Sequence, residues 1–282
     1  MSRLTSYSRE GLVFDVIDSG PEDGTPVVLL HGFPERATCW REVAPLLHAH
    51  GLRTYAPDQR GYSPGARPNG RSSYTVPELV ADVVALIERI GGPVHLVGHD
   101  WGANVGWSLA ARHPELVASW TAVSVPHPAA FVKAIRTTRQ GLHSWYMGLF
   151  QLPFVVEGLA RWPGGPVDQG LRSSGMSSAD VARFRTEIVE YGALPGALGW
   201  YRALPLSRGR GMGGRVRVPT TLVWSTRDTA IVRSGVDGCA EYVEAPYELV
   251  VLEGVSHWIP THAPAPLAEA ILARIASAPD AG

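Results

Sequence analysis

The tightest constraint in this chain is the run Val94-His95-Leu96-Val97, which passes at once into Gly98-His99-Asp100-Trp101-Gly102 and then a helical stretch ending at Arg112. A short apolar strand that turns directly into a helix is the repeating unit of a parallel sheet buried on both faces. A strand-to-helix turn this sharp tolerates only small neighbours, and glycines stand on either side. It presents one side chain above the strand end, where strained turns of this kind hold a nucleophile. Here that side chain is the carboxylate of Asp100, whose simpler reading is a cap on the helix that starts at Trp101.

The same rhythm appears at both ends of the chain. Leu12–Ile17 and Val27–Leu30 read as two paired strands separated by the turn Gly20-Pro21-Glu22-Asp23-Gly24. Ala37–His48 has the helical spacing of Trp40, Val43, Leu46 and Leu47, and Arg53–Ala56 is short and extended. Val76–Ile90 is helical with Pro77 in its first turn, and Ala118–Ser124 is a further strand. After Pro126-His127-Pro128 the pattern becomes helical or irregular, broken at Pro153, Pro163-Gly164-Gly165-Pro166 and Pro195-Gly196, with no buried strand. Thr220–Trp224 and Leu249–Leu252 resume the sheet, and Pro264–Ala276 reads as a closing helix. The expected class is therefore α/β: a mostly parallel sheet flanked by helices, with residues 1–127 and 216–282 as the core. Residues 128–215 are expected to form a mostly helical lid inserted in it. The Gly-rich stretch Gly209–Gly214 lacks a following Lys-Ser/Thr and reads as a linker, not a phosphate loop.

Composition excludes several function classes. A chain of 282 residues with 45% hydrophobic and 18% charged residues can bury a large core without metal or disulfides. A formal net charge of −1 gives no electrostatic footprint for nucleic acid or an anionic membrane. Cys39 and Cys239 lack the Cys/His spacing of a zinc site, so they are expected to be free thiols in a reducing compartment. The polar start from Met1 to Glu10 lacks the apolar centre of a signal peptide, and no stretch is apolar enough to span a bilayer. The expectation is a cytoplasmic protein acting on a small neutral molecule without cofactor or metal; a homo-oligomer is left open. Lys133 is the sole lysine among 25 basic residues, which points to a GC-rich, bacterial genome.

Two more residues join Asp100. Asp228 follows the strand Thr220–Trp224 and His257 follows the strand ending at Leu252, giving the order nucleophile, acid, histidine. Each has a plain alternative, a turn residue for Asp228 and a surface or core histidine for His257. All three, however, fall just past strand ends, the edge of an open parallel sheet where active sites gather. His31-Gly32-Phe33-Pro34 directly follows the strand Val27–Leu30, where a backbone amide can face an oxyanion. The expected oxyanion donors are the amides of Phe33 and Trp101.

At this point the sequence resembles the epoxide hydrolases of the α/β-hydrolase superfamily over nearly its whole length. The residues that carry the resemblance are His31-Gly32-Phe33-Pro34, Asp58-Gln59-Arg60-Gly61-Tyr62, Gly98-His99-Asp100-Trp101-Gly102-Ala103, Ser124-Val125-Pro126-His127-Pro128, Asp228 and His257-Trp258. Asp followed by Trp in the elbow is the specific element. The resemblance also implies that Ser144-Trp145-Tyr146 and Trp200-Tyr201-Arg202 supply acid tyrosines, Tyr146 and Tyr201. One stretch departs from the family pattern: a Gln three residues and an acid five residues after the histidine are replaced by Pro260 and His262.

The chemistry of a carboxylate nucleophile narrows the reaction. Attack on an ester would give an anhydride, whereas attack on saturated carbon gives a stable alkyl ester that water must then open. His257, oriented by Asp228, would activate that water, and as an unperturbed histidine of pKa ~6.5 it would lose this ability as pH falls. Two leaving groups fit. An epoxide opens to an alkoxide and needs a proton donor such as Tyr146 or Tyr201; a halide needs N–H dipoles, for which Trp101 with Trp145, Trp162 or Trp200 are candidates. Phe33 stands where many haloalkane dehalogenases have Asn or Glu, so an apolar or aromatic epoxide is favoured over a haloalkane. A non-catalytic binding domain of the same fold is the third reading, opposed by the intact triad. Trp145, Phe150, Phe154 and Trp162 would line an apolar pocket or pack the lid itself.

Overall fold

The structure, a computed structural model, describes residues 3–207 and 213–278. Its eight strands are β1 (Ser6–Arg9), β2 (Leu12–Ser19), β3 (Thr25–Leu30), β4 (Leu52–Pro57), β5 (Val94–His99), β6 (Val117–Val123), β7 (Thr220–Arg227) and β8 (Tyr247–Ser256). They form one sheet in the order β1-β2-β4-β3-β5-β6-β7-β8. The β1–β2 and β2–β4 pairs are antiparallel and every later pair is parallel.

Helices of the core are α1 (Ala44–His48), α2 (Val76–Ile90) and α3 (Trp101–Arg112). Between β6 and β7 come α4 (Pro128–Thr137), α5 (Gln140–His143), α6 (Tyr146–Leu149), α7 (Val155–Ala160), α8 (Pro166–Ser173), α9 (Ser178–Phe184) and α10 (Leu194–Ser207). The chain closes with α11 (Arg233–Asp237), α12 (Ile259–His262) and α13 (Pro264–Ala276). Among the described residues, none between β6 and β7 forms a strand of the sheet.

Alternation along the strands sorts the core into two layers. Val28 and Leu30 of β3 join Leu79, Val83, Leu86 and Trp107 of α2 and α3, while Val27 and Leu29 join Leu47 and Ile271 of α1 and α13. The α2 residues Leu79, Val83 and Leu86 recur at helical spacing, and burying each contributes ~1.5–3 kcal/mol over leaving it exposed. Turning this stripe to water would detach the helix from α3, whose first turn follows Asp100, and from β1.

Two local expectations need correction. The opening strands β2 and β3 are not paired, because β3 has both edges taken by β4 and β5 in parallel register, and β2 pairs with β4 instead. Ala37–His48 is not one helix: a 3-10 stretch, Ala37–Glu42, precedes α1, which restarts with Pro45 in its first turn. Pro45 has no N–H to continue the ladder, so the helix resets there. The polar strand β1 has no apolar signal in the sequence. Of the Gly209–Gly214 stretch, residues 209–212 lie outside the described residues. Cys39 and Cys239 are free and buried.

Candidate active site

The elbow after β5 forces Asp100 into φ 51° and ψ −115°, a conformation costly for a non-glycine residue. The turn closes so tightly that a Cβ on Gly98 would stand 2.4 Å from the Gly102 carbonyl oxygen, and one on Gly102 would stand 2.2 Å from that of Leu30. Asp100 occupies the N-cap position of α3, yet its carboxylate makes no capping bond. Oδ1 instead accepts the Phe33 amide at 2.7 Å, and Oδ2 lies 3.5 Å from His257 Nε2.

The opposite face of the imidazole is held by Asp228. Its Oδ2 accepts from His257 Nδ1 at 2.7 Å, while Oδ1 accepts the amides of Ala230 at 2.8 Å and Ile231 at 2.9 Å. The carboxylate is thereby fixed on both oxygens and the ring is fixed in one orientation. His99 Nε2 and Ser124 Oγ both donate to the His257 carbonyl oxygen at 3.0 Å and anchor the loop beyond β8. The structure thus brings together Asp100, Asp228, His257 and the Phe33 amide. The Trp101 amide, at the first position of α3, has no acceptor within the chain among the described residues.

Charge is distributed unevenly. Burial would raise the Asp100 pKa, but the contacts with His257 and the Phe33 amide hold it below the usual value, so the carboxylate is ionised. Burial would lower that of His257, but the carboxylates of Asp228 and Asp100 outweigh it and raise it from 6.5 to about 10. The resting imidazole is therefore protonated at neutral pH, unlike the neutral base expected of an unperturbed histidine. For Tyr146 and Tyr201, burial and then the Asp100 charge push the phenols up, so both keep their protons.

Above the triad lies a cavity of about 680 Å³ whose wall includes Asp100, His257, Tyr146, Tyr201, Phe150 and Leu171. The Tyr146 and Tyr201 rings meet edge to face at 6.2 Å between centroids, and their hydroxyls interact with one another. Tyr201 packs against Trp101 at 5.1 Å and against Phe33 at 5.1 Å. Of the apolar residues expected here, Phe150 and Trp145 line the cavity, Trp145 at 69% exposure. Phe154 and Trp162 neither line it nor pack the segment; they are 81% and 65% exposed. Phe154 is the N-cap of the short helix α7, and Trp162 follows its C-cap Arg161.

Glu35 is a residue that sequence reasoning passed over, although it follows His31-Gly32-Phe33-Pro34 directly. It is buried, its Oε2 lies 3.7 Å from His99 Nδ1, and neither atom has a hydrogen bond among the described residues. Burial first, and then the Asp180 charge, raises its pKa from 4.5 to about 8. The folded state holds this proton more tightly than the unfolded chain, so stability falls as pH rises between these two values. Glu35→Gln is expected to match the parent near pH 4.5 and to gain in relative melting temperature up to pH 8. A difference that is flat across that window would mean Glu35 is ionised when folded.

An eight-stranded, mostly parallel sheet whose sharp strand-to-helix turn presents Asp100, followed in order by Asp228 and His257 at strand ends, has the pattern of the α/β-hydrolase fold. The family model for that fold matches residues 25–262. Epoxide hydrolase A of Mycobacterium tuberculosis is 32% identical, with 93% of this chain and 94% of that protein covered. The AB hydrolase superfamily protein YfhM of Bacillus subtilis is 34% identical, over 93% of this chain and 94% of its own length. The inhibitor-bound Bacillus megaterium epoxide hydrolase superposes with a TM-score of 0.84 at 27% identity, covering 96% of this chain and 100% of that one. The chain belongs to the epoxide hydrolase family of the α/β-hydrolase superfamily. Among its described residues, no helix is long and apolar enough to cross a membrane.

Proposed function

We propose that this protein hydrolyses an epoxide to a vicinal diol through an alkyl ester on Asp100. The observation that carries the reading is the placement of an ionised carboxylate, Asp100, beneath two protonated phenols, Tyr146 and Tyr201, in one apolar cavity. Asp100 Oδ2 attacks a ring carbon, the C–O bond breaks, and a phenol gives its proton to the leaving oxygen. The ester is neutral, so His257 loses one of the two charges that raised its pKa, and burial then favours the free base. Its proton makes good, by way of solvent, the one the phenol gave up.

Neutral His257 next takes a proton from water, whose oxygen adds to the ester carbonyl carbon. The oxyanion formed on Oδ1 is met by the Phe33 amide, already 2.7 Å away, and by the Trp101 amide. Collapse expels the second diol hydroxyl and restores the carboxylate beside an imidazolium, the starting charge state. The helical segment between β6 and β7 acts as a lid that supplies the phenols and keeps bulk water from the ester.

The dehalogenase alternative needs a second halide donor, and the tryptophans are badly placed for it. The Trp200 indole N–H donates to the Arg60 carbonyl at 2.7 Å, Trp162 lies outside the cavity, and Trp145 stands at its exposed mouth. A panel of styrene-like and aliphatic epoxides, haloalkanes and a chromogenic ester tests the assignment. Diol formation from epoxides, without halide release or ester cleavage, is expected; faster turnover of haloalkanes than of any epoxide overturns it.

A further inference from the structure

We propose that His262 is a specificity-determining positioning residue, which latches one wall of the substrate cavity to the loop that carries His257. This rests on the epoxide-opening reading of the site. His262 stands five residues beyond His257, and its acidic partner comes from α9. His262 Nε2 donates to Asp180 Oδ2 at 2.9 Å, and its Nδ1 accepts the Ser256 hydroxyl at 2.9 Å. The same Asp180 oxygen accepts the Ser177 hydroxyl at 2.6 Å and the Ser177 amide at 2.9 Å, and the latter, with the Asp180 amide donating to Ser177 Oγ at 3.1 Å, forms the capping box that starts α9. One carboxylate therefore both begins this helix and ties it to the core.

Neighbouring contacts make the joint continuous. The Trp258 indole donates to Ser174 Oγ at 3.0 Å, and Trp258 packs on Met176 and Val181. Gly175, at φ +105°, lies so close to the loop that a Cβ there would be 2.5 Å from Ser256 Cβ. Immediately flanking this joint, Leu171, Ser173, Ser174 and Phe184 form part of the cavity wall. His257 itself is held elsewhere, by Asp228, His99 and Ser124. Releasing His262 thus loosens the wall, which Trp258 still holds at Ser174, without moving the base. A large substrate that leans on that wall loses contacts, while a small epoxide confined to the Asp100 end does not.

The test compares a small aliphatic epoxide with a bulky apolar one, such as a stilbene oxide, in the parent, His262→Ala, His262→Gln and Gly175→Ala. For His262→Ala the bulky substrate is expected to show a KM raised ~10-fold with kcat nearly unchanged, the scale of losing a few apolar contacts. The small epoxide keeps both constants. His262→Gln keeps a donor for Asp180 and an acceptor for Ser256, so it restores the bulky substrate's KM. Gly175→Ala wedges the wall away from the other side and reproduces the His262→Ala pattern even if that variant folds poorly. Equal changes for both substrates, or none for either, overturn the latch. A parent that converts neither epoxide overturns the reading on which it rests.

Discussion

Mixed with a good epoxide, a His257→Gln variant gains the mass of the substrate, and peptide mapping puts the gain on the segment containing Asp100. The expectation follows from the division of labour in the site. On the proposed route, alkylation uses Asp100 Oδ2 and the phenols, and only hydrolysis needs an imidazole that can accept a proton from water. Glutamine cannot accept that proton, so the ester accumulates and steady-state diol formation falls ~10⁴-fold or more, the loss typical of removing a catalytic base. Asp100→Asn gives no adduct and no diol. An adduct on another residue, or diol release from His257→Gln at the parental rate, would remove the covalent route. The proposed route carries a kinetic corollary: with His257 raised to about 10 at rest by Asp228 and Asp100, the free base would form only once Asp100 is esterified, so its effective pKa in that step is expected to lie below the resting value.

Changing Tyr146 and Tyr201 together to Phe is expected to slow alkylation ~100-fold or more, because the alkoxide then leaves without a proton. Each single change should cost less, since the hydroxyls interact and either can serve the ring oxygen. The substitution separates chemistry from packing. Both rings sit against Phe150, at 5.3 Å for Tyr146 and 4.9 Å for Tyr201, and Phe preserves those contacts. Single-turnover alkylation of one epoxide, on variants checked to be folded, gives the answer. A double variant that alkylates at the parental rate takes the phenols out of the mechanism; if it also turns over haloalkanes, the dehalogenase reading moves ahead.

What could be read from the sequence follows the range of each signal. The helices Val76–Ile90, Trp101–Arg112 and Pro264–Ala276 keep the bounds their periodicity and breakers suggest, because cause and effect lie within one turn. Strand order is set by pairing between distant segments, so the placement of β4 between β2 and β3 had no local signature. The meeting of Asp100, Asp228 and His257 was legible because each follows an apolar strand and parallel strands end on one edge. The partner of His262 was not, since Asp180 reaches it only through the docking of α9. Glu35 was hidden for a related reason: its charged neighbours Arg183 and Asp180 come from the segment between β6 and β7.

The pairing of β6 with β7 across the whole inserted segment has a consequence for biosynthesis. His99 and the His257 carbonyl it holds are 158 positions apart. A ribosome therefore releases the elbow and the entire helical segment before the strands that carry Asp228 and His257 exist. Until then the β6 edge is unpaired, which makes the growing chain prone to non-native association. Contacts this distant in sequence form late and slowly. A nascent chain consequently holds Asp100 without Asp228 or His257, and the three can meet only once its final quarter is made.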